Sequence, residues 1–360
     1  MNSSAPSAHT PSAHSDYLGV RFFSSLDGLR AISILAVIWH HCRLWFPSIP
    51  ITERGFLGVD MFFVLSGFLI ITLLLREREK HGSISLSKFY GRRALRIFPV
   101  YYAVILSLAL YFGVIRTDGK MSAEYIEHLP FFLTHTSNWI HDHTFMSIAW
   151  SLSTEEQFYL VWPLVTKLLG GGKDLLLLAA VILFNQAINF RLIFADVQLD
   201  ILQATFTPIC LGVLLAHLLH SRRGFAAVYR ALAPAWTPVA AGAVVSGVLM
   251  IPGDIAGWPR LTAQVAMMAL LAACVVRERH WLGPLLTAPP VKRIGAVSYG
   301  MYLFHMIVLH FAAIALERAG LASPWLLLVL VTLGTVLVAD LSFRLYESPI
   351  LRFKEKLVRV

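Results

Sequence analysis

Residues 26–41 read LDGLRAISILAVIWHH, and residues 55–70 read GFLGVDMFFVLSGFLI. Both are apolar runs with no strand-like alternation, so each is expected to be a helix, and their length and hydropathy suit a membrane span. Both also carry charge where lipid would be. Asp27 and Arg30 are three apart and can pair on one helix face. Arg30 and His41 are eleven apart; at about 100° per residue they fall within about 20° of a common face, about 16 Å apart along the axis, whereas His40 points about 80° away. An arginine inside the bilayer is costly unless it faces a polar interior, which makes it a functional candidate; the alternative is an Asp27–Arg30 staple snorkelling to the inner interface.

Working outward, 57% of the 360 residues are hydrophobic, 14% are charged, and the mean hydropathy is +0.67. Soluble domains carry about 25% charged residues, so a soluble enzyme, a disordered chain and a collagen-like fibre are excluded. The expected fold class is all-α: a polytopic integral membrane protein of about ten transmembrane helices with both termini cytoplasmic. Spans are expected near 26–46, 56–75, 97–115, 146–166, 174–191, 198–219, 234–251, 261–276, 297–315 and 323–342. With the N-terminus inside, 22 of the 30 lysines and arginines fall in inner segments and 7 in outer ones, with Arg30 inside the first span. The organisation is then a disordered cytoplasmic tail over 1–20, a transmembrane domain over 21–350 and a basic cytoplasmic tail over 351–360. No lysine or arginine precedes Arg21, so the first residues are not read as a cleaved signal. The net charge of +9 follows membrane topology rather than nucleic-acid binding. Cys42, Cys210 and Cys274 are expected to be buried and unpaired.

Asp60 is expected about 6 Å below the outer surface and His41 about 8 Å below it, so the carboxylate could orient the imidazole. Gly58, Ser66 and Gly67 are expected to permit close helix packing. In the second inner loop, FYGRRALRIFPVYY over 89–102 sets Arg93 and Arg96 one turn apart at the mouth of span three. Paired arginines can fork onto phosphate oxygens, or serve only as topology charges that touch lipid phosphate. Span four contains WSLSTEEQFYLVWP over 150–163, with Glu155 and Glu156 near mid-membrane among Trp150, Ser151, Ser153, Gln157 and Tyr159. Such a segment must line a polar cavity or pair with a cation such as Arg30. Span nine carries SYGMYLFH over 298–305, whose Ser298, Tyr302 and His305 share a face, as a site or as a hydrogen-bonded seam. The outer loop 116–145 is rich in histidine (His128, His135, His141, His143), without the spacing of a tetrahedral site, and no metal is expected.

These elements, together with YESP over 346–349, occur in the order seen in the membrane-bound acyltransferase-3 family, which the chain resembles over about 22–350. The resemblance implies a bacterial O-acyltransferase of surface sugars in the inner (cytoplasmic) membrane. Its donor would be acetyl-CoA or another acyl-CoA, and its acceptor a glycan or glycolipid of the cell envelope. Arg30 and His41 correspond to the family's functional arginine and histidine, Arg93 and Arg96 to its arginine pair, and Trp150, Ser151 and Glu155 to its WSL–glutamate element, with Glu156 adjacent. Two departures stand out: Met306 and Ile307 follow His305 where many relatives have a nearby proline, and some relatives continue into an extracytoplasmic hydrolase-like domain. The chain is therefore expected to transfer alone or with a separate extracytoplasmic transferase partner. In the mechanism that fits, phosphates sit at Arg93 and Arg96, His41 acts as general base, Asp60 orients it, and Arg30 or a hydroxyl steadies the acyl oxygen. A covalent acyl-enzyme on Ser151, Ser153 or His41 is the variant. The competing classes are a proton-coupled transporter or flippase, whose relays use the same residue types, and a catalytically silent membrane scaffold.

Overall fold

The computed structural model describes residues 10–46, 50–169, 172–194, 206–252, 255–321 and 323–357, and among these there are helices and no strands. In chain order the main helices are α1 (Thr10–Gly19), α2 (Leu26–His41), α3 (Leu57–His81), α4 (Leu86–Leu110), α5 (Lys120–Leu133), α6 (Ala149–Leu169), α7 (Lys173–Asn189), α8 (Thr207–His220), α9 (Arg222–Leu232), α10 (Thr237–Leu249), α11 (Trp258–Val276), α12 (Ser298–Arg318) and α13 (Pro324–Ser342). The ends follow local chemistry. Gly82 takes the left-handed conformation (φ 73°) that closes α3. The Ser85 hydroxyl then accepts from the Lys88 backbone N–H to open α4.

Nine of the ten expected segments are helical across most of their length. The first described residues of the expected span 198–219 begin at 206, and its earlier part lies outside the described residues. Among the described residues five helices are long and apolar enough to cross a membrane, or six if α9 and α10, bent by 78°, count as one span. This defines an α-helical membrane protein. Of the remaining expected spans, α2, α7 and α8 are short (16, 17 and 14 residues), and α6 carries Glu155 and Glu156. Residues 1–9 of the expected disordered tail lie outside the described residues. Residues 10–19, by contrast, form a helix: Tyr17 is buried against Phe225 of α9, and the Arg76 guanidinium donates to the Tyr17 and Val20 carbonyls. Of the expected basic tail, 358–360 lie outside the described residues; Ser348–Leu357 is helical.

α3 is the central helix. Gly67 lies on the carbonyl of Ile209 in α8, and Gly212 of α8 lies reciprocally on the carbonyl of Val64, so a side chain at either would collide with backbone. Gly58 likewise lies on the Ser33 carbonyl of α2. Packing without side chains is what brings membrane helices this close. The expected close packing therefore holds for Gly58 and Gly67, while Ser66 lies on the wall of a cavity. α13 forms the periphery and exposes Leu326, Val329, Leu330, Leu333 and Leu337. The three cysteines are buried and unpaired.

Candidate active site

α2, α3, α4, α6 and α12 enclose a cavity of about 520 Å³, within the range of about 300–1,000 Å³ found for small-molecule sites. The wall includes six arginines: Arg21, Arg30, Arg76, Arg92, Arg93 and Arg96. Against them stand three carboxylates, Asp27, Glu155 and Glu156. Arg92, Arg93 and Arg96 were expected in a loop before span three. α4 instead begins at Leu86, so all three ride its first turns and face inward.

The cations differ in how they are engaged. Arg30 pairs with Asp27 at 2.9 Å, as their spacing predicts. Arg92 reaches Glu77 at 3.6 Å. Arg93 donates from Nε (3.2 Å) and Nη2 (3.0 Å) to Oε1 of Glu156 and lies over the Tyr159 ring at 3.2 Å. The cation expected near the glutamates is thus Arg93 rather than Arg30. Arg96 makes no hydrogen bond or ion pair among the described residues, and its exposed surface belongs to the cavity wall.

α6 is polar on two sides because it does two jobs. Ser151, Leu152, Glu155 and Glu156, at helical spacing, line the cavity, and Glu155 accepts from the Tyr159 hydroxyl at 3.0 Å. On the other side Ser153 meets the Ser137 hydroxyl at 2.8 Å, and Gln157 bonds Asn138 and the His135 carbonyl. Ser153 is therefore a buried clamp on the outer loop, away from the cavity. Trp150 packs edge-on to Phe63, with ring centroids 6.3 Å apart, and is also absent from the cavity wall.

Ser298 and Tyr302 of α12 do line the cavity. The Tyr302 hydroxyl lies 2.6 Å from the Ser151 hydroxyl. One turn further along α12, His305 is fully buried and contacts not the cavity but His41: Nε2 of His305 is 3.2 Å from Nδ1 of His41. His40 faces elsewhere, with Nδ1 at 3.2 Å from the Thr52 carbonyl and Nε2 at 3.2 Å from Arg43. The separation of His40 from His41 by helical angle is therefore observed.

Asp60 is not beside His41. It is 1% exposed and accepts from Arg260 (3.3 Å) and Gln264 (2.8 Å) of α11. The reason is register. The contact of Gly58 with Ser33 sets the start of α3 well below the end of α2, so Asp60 lies deeper than His41. Arg76, Arg260 and Gln264 carry no distinguishing signal in the sequence: Arg76 opens a charged run, Arg260 and Gln264 are single polar residues at or inside an apolar segment, and only the fold reveals what each faces.

In the outer loop, His128 and Asp142 pair at 3.0 Å, and with Glu124 they bring possible ligand atoms within 4.8 Å of one another. Asp142 also accepts from Thr144, and Glu124 from the His143 N–H. His135 stacks on Tyr101 at 4.4 Å, and burial pushes its pKa down to about 4.

The family model described as "Acyltransferase domain", that of acyltransferase-3, matches residues 23–344, and the chain belongs to this family. It is 27% identical over 357 residues to "Peptidoglycan O-acetyltransferase OatA" of Listeria monocytogenes, covering 92% of this chain and 56% of that protein. It is 28% identical to a "Putative O-acetyltransferase" of Staphylococcus aureus (strain COL), with 92% and 58% covered, and 26% identical to "Putative peptidoglycan O-acetyltransferase YrhL" of Bacillus subtilis, with 92% and 55% covered. The chain thus spans a little over half the length of these relatives. No solved structure matches it.

Proposed function

We propose that the chain is a membrane O-acyltransferase that moves an acyl group, in the first instance acetyl, from cytoplasmic acyl-CoA to a hydroxyl of an extracytoplasmic or lipid-linked glycan. The names of its relatives point to an O-acetyl product and to peptidoglycan as the kind of acceptor. In this reading residues 21–350 form a ten-span domain of the cytoplasmic membrane, with both ends of the chain in the cytoplasm. Membrane lipid surrounds it, and a separate extracytoplasmic transferase can complete delivery.

The observation that carries the reading is the arginine-lined cavity, with Arg96 on its wall and without a hydrogen bond or ion pair among the described residues. Arg21 and Arg76 lie where α2 starts and α3 nears its end, a cationic mouth suited to the phosphates of CoA. Arg96 takes a phosphate or carbonyl oxygen of the donor deeper in. Arg93, held by Glu156, shapes the wall instead. The thioester arm runs from there past Ser298, Ser151 and Tyr302 toward His41.

His41 is the general base. Its ring takes the proton of the acceptor hydroxyl as that oxygen attacks the thioester carbonyl; the C–S bond breaks, and the proton leaves with the CoA thiolate. Arg30, or the Ser151–Tyr302 hydroxyl pair, steadies charge on the acyl oxygen. Incubating membranes containing the protein with labelled acetyl-CoA tests the reading. Label on glycan, lost in His41→Ala, supports it; vesicle uptake of label without glycan acylation would make the protein a transporter.

A further inference from the structure

We propose that His305 is the positioning residue for His41: it accepts the Nδ1–H of His41 and thereby fixes which nitrogen acts as the base. The inference rests on the reading of His41 as general base. The argument is one of donors and acceptors. Nδ1 of His41 lies 2.9 Å from the Val37 carbonyl, and Nδ1 of His305 lies 2.7 Å from the Tyr302 carbonyl. A carbonyl oxygen only accepts, so both Nδ1 atoms carry hydrogens. With Nδ1 of His305 protonated, its Nε2 in the neutral ring is a lone pair, and that lone pair lies 3.2 Å from Nδ1 of His41. The Nδ1–H of His41 is therefore shared between the Val37 carbonyl and the His305 imidazole.

Two consequences follow. Nε2 of His41 is left with the lone pair, and it has no hydrogen-bond partner among the described residues, while the side chain is partly exposed. It is the nitrogen available to take a hydroxyl proton. When it does, the cation that forms is held by an acceptor already in place, as a carboxylate holds the imidazole of a hydrolytic triad. Here the acceptor is neutral and fully buried, on α12, and it is anchored through the backbone of Tyr302, whose ring lines the cavity. Neither histidine is on the cavity wall, but His305 is fully buried whereas His41 is partly exposed, so His305 acts through His41 rather than on substrate.

The test compares His305→Gln, whose amide oxygen can accept from Nδ1–H, with His305→Met and His305→Phe, which offer no such acceptor. Each purified variant is first checked for monodispersity, and His305→Met serves if the ring of His305→Phe does not fit. The expected result is a fall in kcat of about 10–100-fold for His305→Met or His305→Phe, the scale of one hydrogen bond to a charged group. KM for acyl-CoA and for the glycan should stay within about twofold, and His305→Gln should recover most of the rate. Unchanged kcat in the non-accepting variants overturns the proposal. So does equal loss in His305→Gln and His305→Met, or a rise in either KM, since these indicate a packing or substrate-contact role. Full activity in a parallel His41→Ala variant would instead remove the underlying reading of His41.

Discussion

Arg96→Ala takes from the cavity wall a guanidinium that makes no hydrogen bond or ion pair with a carboxylate among the described residues, so the fold loses little while an anionic donor loses a ligand. A hydrogen bond to a charged group is worth about 1.5–3 kcal/mol, and about 1.4 kcal/mol is tenfold in affinity. KM for acyl-CoA should therefore rise about 10–100-fold, with KM for the glycan within about twofold. Arg96→Lys should recover only part of this, because an ammonium lacks the planar fork. Arg93→Ala should behave differently. Its guanidinium is held at 3.0 Å by Glu156, with 19% and 15% of the two side chains exposed. Breaking a buried pair costs about 3–5 kcal/mol, and the exposed fraction places this one near the lower end, at about 3 kcal/mol. Adding Glu156→Gln should restore most of that stability, because the stranded carboxylate is then gone. Steady-state kinetics with labelled acyl-CoA in nanodiscs, paired with thermal unfolding of the same samples, measures both effects. Identical behaviour of the two alanine variants in KM and in stability would refute the division of labour, as would an unchanged acyl-CoA KM in Arg96→Ala.

His41→Ala should abolish transfer at near-normal expression while His40→Ala is mild, because the two rings face α12 and the 52–56 segment respectively; equal loss would break the face argument. Asp60→Asn should leave kcat within about threefold per folded molecule, since Asp60 meets Arg260 and Gln264 rather than His41, and a loss as deep as that of His41→Ala would restore Asp60 to the catalytic machinery. His135, in the outer loop, sits near pKa 4 when folded against about 6.5 when unfolded. The unfolded chain binds the extra proton, so this contribution is fully present above about pH 6.5 and is lost as pH falls toward 4, amounting to about 2 kcal/mol at pH 5. Melting temperatures at pH 7.5 and pH 5 should show the drop in the wild type and a smaller one in His135→Phe.

Short-range geometry was legible in the residues. The Asp27–Arg30 pair and the divergence of His40 from His41 both follow from a period of 3.6. What escaped were partnerships across the chain: His41 with His305 at a separation of 264, Arg93 with Glu156 at 63, and Asp60 with Gln264 at 204. Depth below a presumed surface was the only guide to these. It misplaced Asp60, because the approach of Gly58 to Ser33, rather than the ends of the apolar runs, sets the register of α2 and α3. Ser153 and Trp150 show the same limit from another side. Their motif marks a polar helix but not which of its two polar faces meets the cavity.

The central claim, donor from the arginine side and acceptor from the opposite face, is tested most directly in vesicles of known orientation. Cysteines placed at the exposed positions Lys80 and Lys120 report the two faces by reaction with an impermeant thiol reagent, against buried native cysteines. Labelled acyl-CoA supplied from the Lys80 face should acylate glycan on the Lys120 face, and acyl-CoA supplied from the Lys120 face should not. Transfer supported from the Lys120 face would contradict the account.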